Sequence, residues 1–431
     1  MKIVYLITGS GGSFYCGNCY RDMLYPRAIR KVRGMTAKAV PLYLPPDQSD
    51  SDTGFEKKVF FGAISMYLRE KVLFLRNMPA FFDKFFDMLP FLKLAARQAG
   101  TTRTEGLEEL TLNMIEGNNA FQPHEVRRLV NYLNTDGKPD IVHLSNALIL
   151  GLAGQLKKHT DIKIVCSLLN EDDWIDDMIE PYRSKAWELI ARESEYVDRF
   201  ITPSQYYKDM FITKTGLDGD RIDVIPLGFD PEEIAPEENV SHSPVLGYFC
   251  RMNRHNGFDK IVDAFIRIKS ENLMPDLFLH ACGGYTGDDK AFIKEQYIKL
   301  KEKGFHKSFR VFHEFHGNKK TEFFRGVDVI SVPVRKYDGY GLYILEANAA
   351  GVPVVQPATG AFPEIIARTG GGITYDPDDI NELSACLVRV LNDKELLLKL
   401  GTDGKENVRK HLSLERMSEE LSRAYNAVMT V

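Results

Sequence analysis

Short, unbroken apolar runs alternate along this chain with longer stretches in which apolar residues recur at helical spacing. Residues 3–7 make the first run, which Gly9-Ser10-Gly11-Gly12-Ser13 separates from a helix-like segment. Further runs at 37–43, 141–144, 162–166, 200–202 and 223–225 have the length and β-branched content of buried strands. Helical stretches lie between several of them, an alternation that favours a parallel sheet with helices on its faces. Residues 231–243, with their acids, prolines and serines, break this pattern with the composition of a linker. A second strand-first pattern then begins at Val245-Leu246-Gly247-Tyr248-Phe249. The pattern predicts an α/β protein of two doubly wound, Rossmann-like domains, and two such domains imply a cleft between them. Expected boundaries are 1–235, 244–410 and a terminal segment, 411–431, with helical periodicity over 413–429.

Residues 58–118 interrupt the first domain with an aromatic-rich insertion. Phe81, Phe82, Phe85 and Phe86 recur there at helical spacing and form one apolar face. Helices packed on the domain are the plainer reading. The competing one is an acceptor-side lid or a membrane-surface helix, which leaves peripheral membrane contact open. Cationic flanks are sparse, and that argues against stable attachment by this segment alone.

The chemistry concentrates in residues 338–355. Apolar spacing after Gly341 predicts a short helix to Ala350, closed by Gly351 and followed by a strand over 352–355. Asp338 precedes that helix and Glu346 lies within it, eight positions or roughly 12 Å further on. A ligand could give one hydroxylated ring to each carboxylate, with an anionic bridge meeting the free N–H groups and positive dipole of the helix start. Gly339 and Gly341 would admit phosphates close to the backbone, beside Tyr340 and Leu342. That describes a nucleotide diphosphate sugar.

This segment resembles the donor-site signature of the retaining glycosyltransferases of family four, also called glycosyl transferases group 1. Their two acidic residues stand at this spacing before an EAMAxGxPVV-like run, with aspartate at Asp338 replacing the first glutamate. The resemblance extends unevenly along the chain. Gly11 and Gly12 match a glycine loop under the transferred sugar and phosphates, Pro139-Asp140-Ile141-Val142-His143 a DVVH-like strand end, and residues 225–230 an IPNGVD-like turn. Gly247 to Arg251 stands for the strand ending in Gly-Arg, which would aim the Arg251 guanidinium at the diphosphate. Two positions depart from the pattern. Asn256 replaces a lysine that would neutralise phosphate, and Leu169 replaces an active-site histidine.

The resemblance implies the GT-B fold: two facing domains, the acceptor mainly on the first, the donor mainly on the second, and the terminal helix crossing back to the first. It implies a metal-independent hexosyltransferase that moves a sugar to a hydroxyl acceptor with retention and uses no cofactor. Asp338 would hold the sugar hydroxyls, Glu346 the ribose hydroxyls, and Arg251 the departing diphosphate. Acceptor-binding candidates are His143, Glu171 and Asp172, although a satisfied core or loop histidine is the plainer reading of His143, and helix-capping acids are an equally simple reading of the other two. Asn256 and Leu169 support an alternative, a catalytically impaired protein that binds sugar nucleotides or regulates a partner.

Composition narrows the classes. With 431 residues the chain can bury two or three cores, and a net charge of −5 gives no electrostatic reason to bind nucleic acid. No apolar run approaches a membrane span, so the expected location is cytoplasmic. Six scattered cysteines make no disulfide framework, and Cys16-Gly17-Asn18-Cys19 lacks the second pair of a structural zinc site. Packing or loop shaping is the plainer role for that pair, with redox chemistry at a helix start the alternative.

Overall fold

Six apolar runs make the first sheet: β1 (Lys2–Ile7), β2 (Thr36–Pro41), β3 (Ile141–Leu144), β4 (Lys163–Ser167), β5 (Arg199–Thr202) and β6 (Ile222–Val224). The computed structural model describes residues 1–9, 14–43, 104–117, 123–230, 233, 243–336 and 338–430. Within them the strand order is β2-β1-β3-β4-β5-β6, and every neighbouring pair is parallel. Ile3, Val4, Leu6, Ile141, Val142 and Leu144 are wholly buried, as strands covered on both faces require. The order reverses between β1 and β3, which makes that edge the switch point of this sheet.

The second sheet repeats the design with β7 (Val245–Phe249), β8 (Phe278–Cys282), β9 (Phe309–Phe312), β10 (Val329–Ile330), β11 (Val354–Pro357) and β12 (Gly372–Tyr375). Its order is β12-β11-β10-β7-β8-β9, again parallel throughout. The switch point lies between β10 and β7. β10 is only two residues long, and beyond it the next bond toward β11 is made by a side chain: Val332 N–H donates to Oε1 of the buried Gln356 at 3.1 Å.

The chain divides into two compact units, one of Met1–Gly12, Asn18–Pro226 and Ser418–Val431, the other of Ser13–Gly17 and Leu227–Met417. The last helix, Leu414–Thr430, therefore has most of its length in the first unit, where Tyr425 and Tyr5 share a hydroxyl hydrogen bond of 2.8 Å. The strand expected over 352–355 begins later, at Val354. Gly351 turns the chain at φ +79°, and Val352 N–H is spent on Ala347 O. Pro353 brings no N–H, yet its carbonyl accepts from Ile330 N at 3.0 Å. Of the insertion expected over 58–118, Glu108–Glu116 is a helix, while residues 58–103, including Phe81, Phe82, Phe85 and Phe86, lie outside the described residues. So do Gly11 and Gly12 and most of 231–243.

Candidate functional site

Two loops leave the carboxyl ends of β7 and β10 on either side of the second switch point, the position where open α/β sheets receive ligands. Backbone contact locks them together. Gly257 sits at φ +71°, and a Cβ there would fall 1.8 Å from the carbonyl oxygen of Pro333. Arg335 N–H donates to His255 O at 3.0 Å, and the Arg335 guanidinium forks onto both oxygens of Asp259 at 2.7 Å. The glycine is obligatory here because the approach and the positive φ both exclude a side chain.

Asp338 opens the turn that follows. Its Oδ1 accepts from the backbone N–H groups of Tyr340 at 2.9 Å and Gly341 at 3.0 Å, an Asx-type turn that carries the chain into the helix Leu342–Ala349. Gly341 takes φ +75° at the helix N-cap, with the Phe362 ring 2.6 Å from where a Cβ would stand. Tyr340 is buried and its hydroxyl donates to Leu227 O at 3.1 Å. Two of the amides expected to meet a diphosphate, those of Tyr340 and Gly341, are thus committed to Asp338. The first-turn N–H groups of Leu342 and Tyr343 have no carbonyl one helical turn back.

Glu346, in the second turn of that helix, is 0% exposed. Its Oε2 accepts from the Tyr15 hydroxyl at 2.6 Å and its Oε1 from Lys320 Nζ at 2.9 Å. Lys320, on the helix Gly317–Arg325, also faces Glu233 at 3.7 Å. Burial pulls the lysine down, but Glu346 and Glu233 more than offset it, so its pKa stands above the ordinary lysine value. Neither Tyr15 nor Lys320 was among the sequence candidates. No local signal marks Tyr15, whereas a lysine amid the apolar face of a short helix hints at a buried ion pair.

Arg251, directly after β7, is also inside the protein, at 7% exposure. Its Nε and Nη2 reach Asp289 at 2.8 and 3.1 Å, and Nη2 donates to Thr286 Oγ1 at 2.9 Å. The Phe14 ring covers the guanidinium at 4.9 Å. Asp289 and Thr286 form a capping box, so the arginine's partners are themselves held. Asn256 closes the same loop: its Nδ2 donates to Arg251 O at 3.1 Å and its backbone N–H to Asn253 Oδ1 at 2.8 Å. Its side chain therefore braces the loop where a lysine was expected to reach phosphate.

In the first unit the expected acceptor groups are turned inward. His143, 1% exposed on β3, bonds Tyr425 OH through Nδ1 at 2.6 Å and Ser167 Oγ through Nε2 at 2.7 Å, and stacks on Tyr5. Burial, aided by the nearby Arg21 charge, lowers its pKa to about 3, so it stays neutral. Both ring nitrogens are taken, which corrects the reading of His143 as an acceptor ligand. Glu171 accepts from Ala147 N at 2.9 Å, Leu169 N at 2.8 Å and Tyr207 OH at 2.7 Å. Asp172 Oδ1 lies 2.8 Å from the same hydroxyl. One phenolic proton cannot serve two carboxylates. Burial, with Asp173 beside it, raises Asp172 to about 7. These two acids shape the loop after β4 from within, as corrections to their expected role. Close by, Arg21 bonds Asp22 and Ser145 O, while its Nη1 has no partner among the described residues.

None of the six cysteines is in a disulfide. Among the described residues no group of three His, Cys, Asp or Glu side chains could hold a metal ion, and no helix is long and apolar enough to cross a membrane.

Comparison with known proteins bears on this geometry. The family Glycosyltransferase Family 4 matches residues 101–233 and Glycosyl transferases group 1 matches residues 230–407. The lipopolysaccharide core biosynthesis mannosyltransferase LpsB of Rhizobium meliloti is 27% identical over 207 residues, 47% of this chain and 54% of that protein. A D-inositol 3-phosphate glycosyltransferase of Stackebrandtia nassauensis is 26% identical over 230 residues, 51% of each chain. The chain spans about half the length of the curated relatives it matches. Sucrose-phosphate synthase from Thermosynechococcus elongatus shares the fold over 100% of both chains, with a TM-score of 0.71 at 17% identity. Anabaena HepE, solved with UDP and glucose, covers 99% of each chain with a TM-score of 0.71 at 15% identity. Two parallel, doubly wound sheets and two adjoining family matches lead to one assignment: the chain belongs to the group 1, family-four glycosyltransferases and has the GT-B fold.

Proposed function

We propose that this chain transfers a hexosyl group from a nucleoside diphosphate sugar to a hydroxyl acceptor, with retention at the anomeric carbon and without a divalent metal. The observation that carries this reading is the grouping of Asp338, the Gly341 turn, Glu346 and Arg251 around the switch point of the second sheet. Solved HepE complexes with UDP and with UDP-glucose support a uridine nucleotide as the first donor to try. As the bond from the anomeric carbon to the diphosphate breaks, negative charge gathers on the leaving oxygen and positive charge on the sugar ring. The buried Arg251 cation and the start of the helix Leu342–Ala349 supply fixed positive potential for the first. Asp338 orients the sugar hydroxyls, and Glu346 receives those of the ribose.

Thermal shift with UDP-, GDP- and ADP-sugars, with and without a chelator, tests the reading. One donor should raise the melting temperature in both conditions. Glu346→Gln should then weaken that donor by about 1.5–3 kcal/mol, the worth of a hydrogen bond to a charged group. Product analysis with hydroxyl acceptors would report the anomeric configuration. A folded protein stabilised by none of these donors would refute the reading.

A further inference from the structure

We propose that Phe14 and Tyr15 form a strap that closes the nucleotide site, and that a nucleoside diphosphate must displace it. This rests on the reading of Glu346 and Arg251 as donor-binding groups. Residues 14–17 group with the second unit, apart from the strand that precedes them and most of the helix that follows. Phe14 pairs with Gly284 as an antiparallel bridge, and Tyr15 N–H donates to Gly283 O at 2.7 Å. The chain thereby adds a scrap of strand across the carboxyl end of β8, beside the switch point. Gly283 is at φ +119° with its missing Cβ 2.4 Å from Cys250 O, so this edge admits only bare backbone.

Both side chains of the strap meet the two groups a donor would need. The Tyr15 hydroxyl donates to Glu346 Oε2 at 2.6 Å, the same bond a ribose hydroxyl would make, and its ring packs edge-on against Phe249 at 4.9 Å. The Phe14 ring covers the Arg251 guanidinium at 4.9 Å, where an anion would otherwise approach. Lys320 holds the second carboxylate oxygen, so Glu346 has its two oxygens engaged without a ligand. A hydroxyl and an aromatic ring thus stand in for a sugar ring and its charged neighbour. Apparent nucleotide affinity is then reduced by the fraction of molecules in which the strap is open.

Calorimetric titration of UDP and GDP into the full chain and into Tyr15→Phe and Phe14→Leu tests the strap. Tyr15→Phe keeps the ring against Phe249 and removes only the hydroxyl. Loss of one charge-assisted hydrogen bond from the closed state should tighten nucleotide binding by about tenfold to a hundredfold. Phe14→Leu should also tighten it, which guards against one variant misfolding. Hydrogen exchange of the peptide containing Tyr15 should quicken when nucleotide saturates the wild-type protein, because the bond to Gly283 is released. Nucleotide bound only by the variants supports the strap equally. Demonstrated binding to the wild type, with exchange unchanged and both variants binding equally or more weakly, overturns the strap and leaves the donor site standing. No nucleotide binding by any of the three folded proteins removes the donor site and the strap together.

Discussion

Replacing Lys320 by Met asks how much the second unit depends on one buried charge. Lys320 Nζ and Glu346 Oε1 are 2.9 Å apart, with side-chain exposures of 9% and 0%. At an effective dielectric constant of about 20 their attraction is roughly 6 kcal/mol, most of it offset by the desolvation of both ions. Removing the lysine keeps the desolvation of the carboxylate and discards the attraction, a change that costs about 3–5 kcal/mol for buried pairs. Tyr15 still donates to the other oxygen, so the lower end, about 3 kcal/mol, is expected. Glu346 would then be a buried carboxylate without its cation, an uncompensated charge. Adding Glu346→Gln should restore most of the loss, since the orphaned charge disappears. Trp174 and Trp187 both lie in the first unit, so tryptophan fluorescence reports the wrong half. Hydrogen exchange of peptides from β7, β8 and β11 in a urea series reads the second. A loss under about 1 kcal/mol, or a double variant no better than the single one, would each refute the reasoning.

Two further outcomes follow from the geometry. Gly257→Ala must force a side chain against Pro333 O at positive φ, so it should cost at least about 2 kcal/mol and lower the second unit's melting temperature by roughly 4–8 °C. An unchanged melt would mean that the β7 and β10 loops separate easily. In the first unit, His143 titrates near 3 when folded and near ~6.5 when unfolded, so below pH ~6.5 the unfolded chain takes up a proton the native state refuses. Stability present above that pH is lost as pH falls toward 3, by up to about 1.4 kcal/mol per unit. Tryptophan-detected unfolding of the wild type and His143→Gln should diverge in pH slope over that window, and parallel slopes would contradict the assigned burial.

The elements that sequence made legible are those whose cause is local. Val245–Phe249 and Ile141–Leu144 are unbroken apolar runs, and they appear as strands at the expected residues. The helix Leu342–Ala349 follows its glycine as the apolar spacing predicts. The partners of the site residues were hidden because they come from far along the chain. Tyr15 meets Glu346 across 331 positions, and Tyr425 meets His143 across 282. A histidine at a strand end looks the same in sequence whether it faces a ligand or a tyrosine from the last helix. Asp338 lies between these cases. Its bonds to Tyr340 and Gly341 were readable from Asp-Gly-Tyr-Gly as a turn, while its proposed role toward a sugar rests on the spacing to Glu346 and on the family resemblance.

Gln356 gives one position of the second sheet an unusual code. Its amide oxygen does for Val332 what the backbone of a longer neighbouring strand would do, inside a strand whose other residues are all buried. A hydropathy profile sees there a polar interruption and shortens the strand, although the polar atom is what continues the pairing. A leucine of similar size would fill the volume and leave the Val332 N–H without its acceptor, so chemistry is constrained at this position more tightly than size. Drift in related sequences should accordingly exchange the aliphatic residues around it more freely than the amide itself.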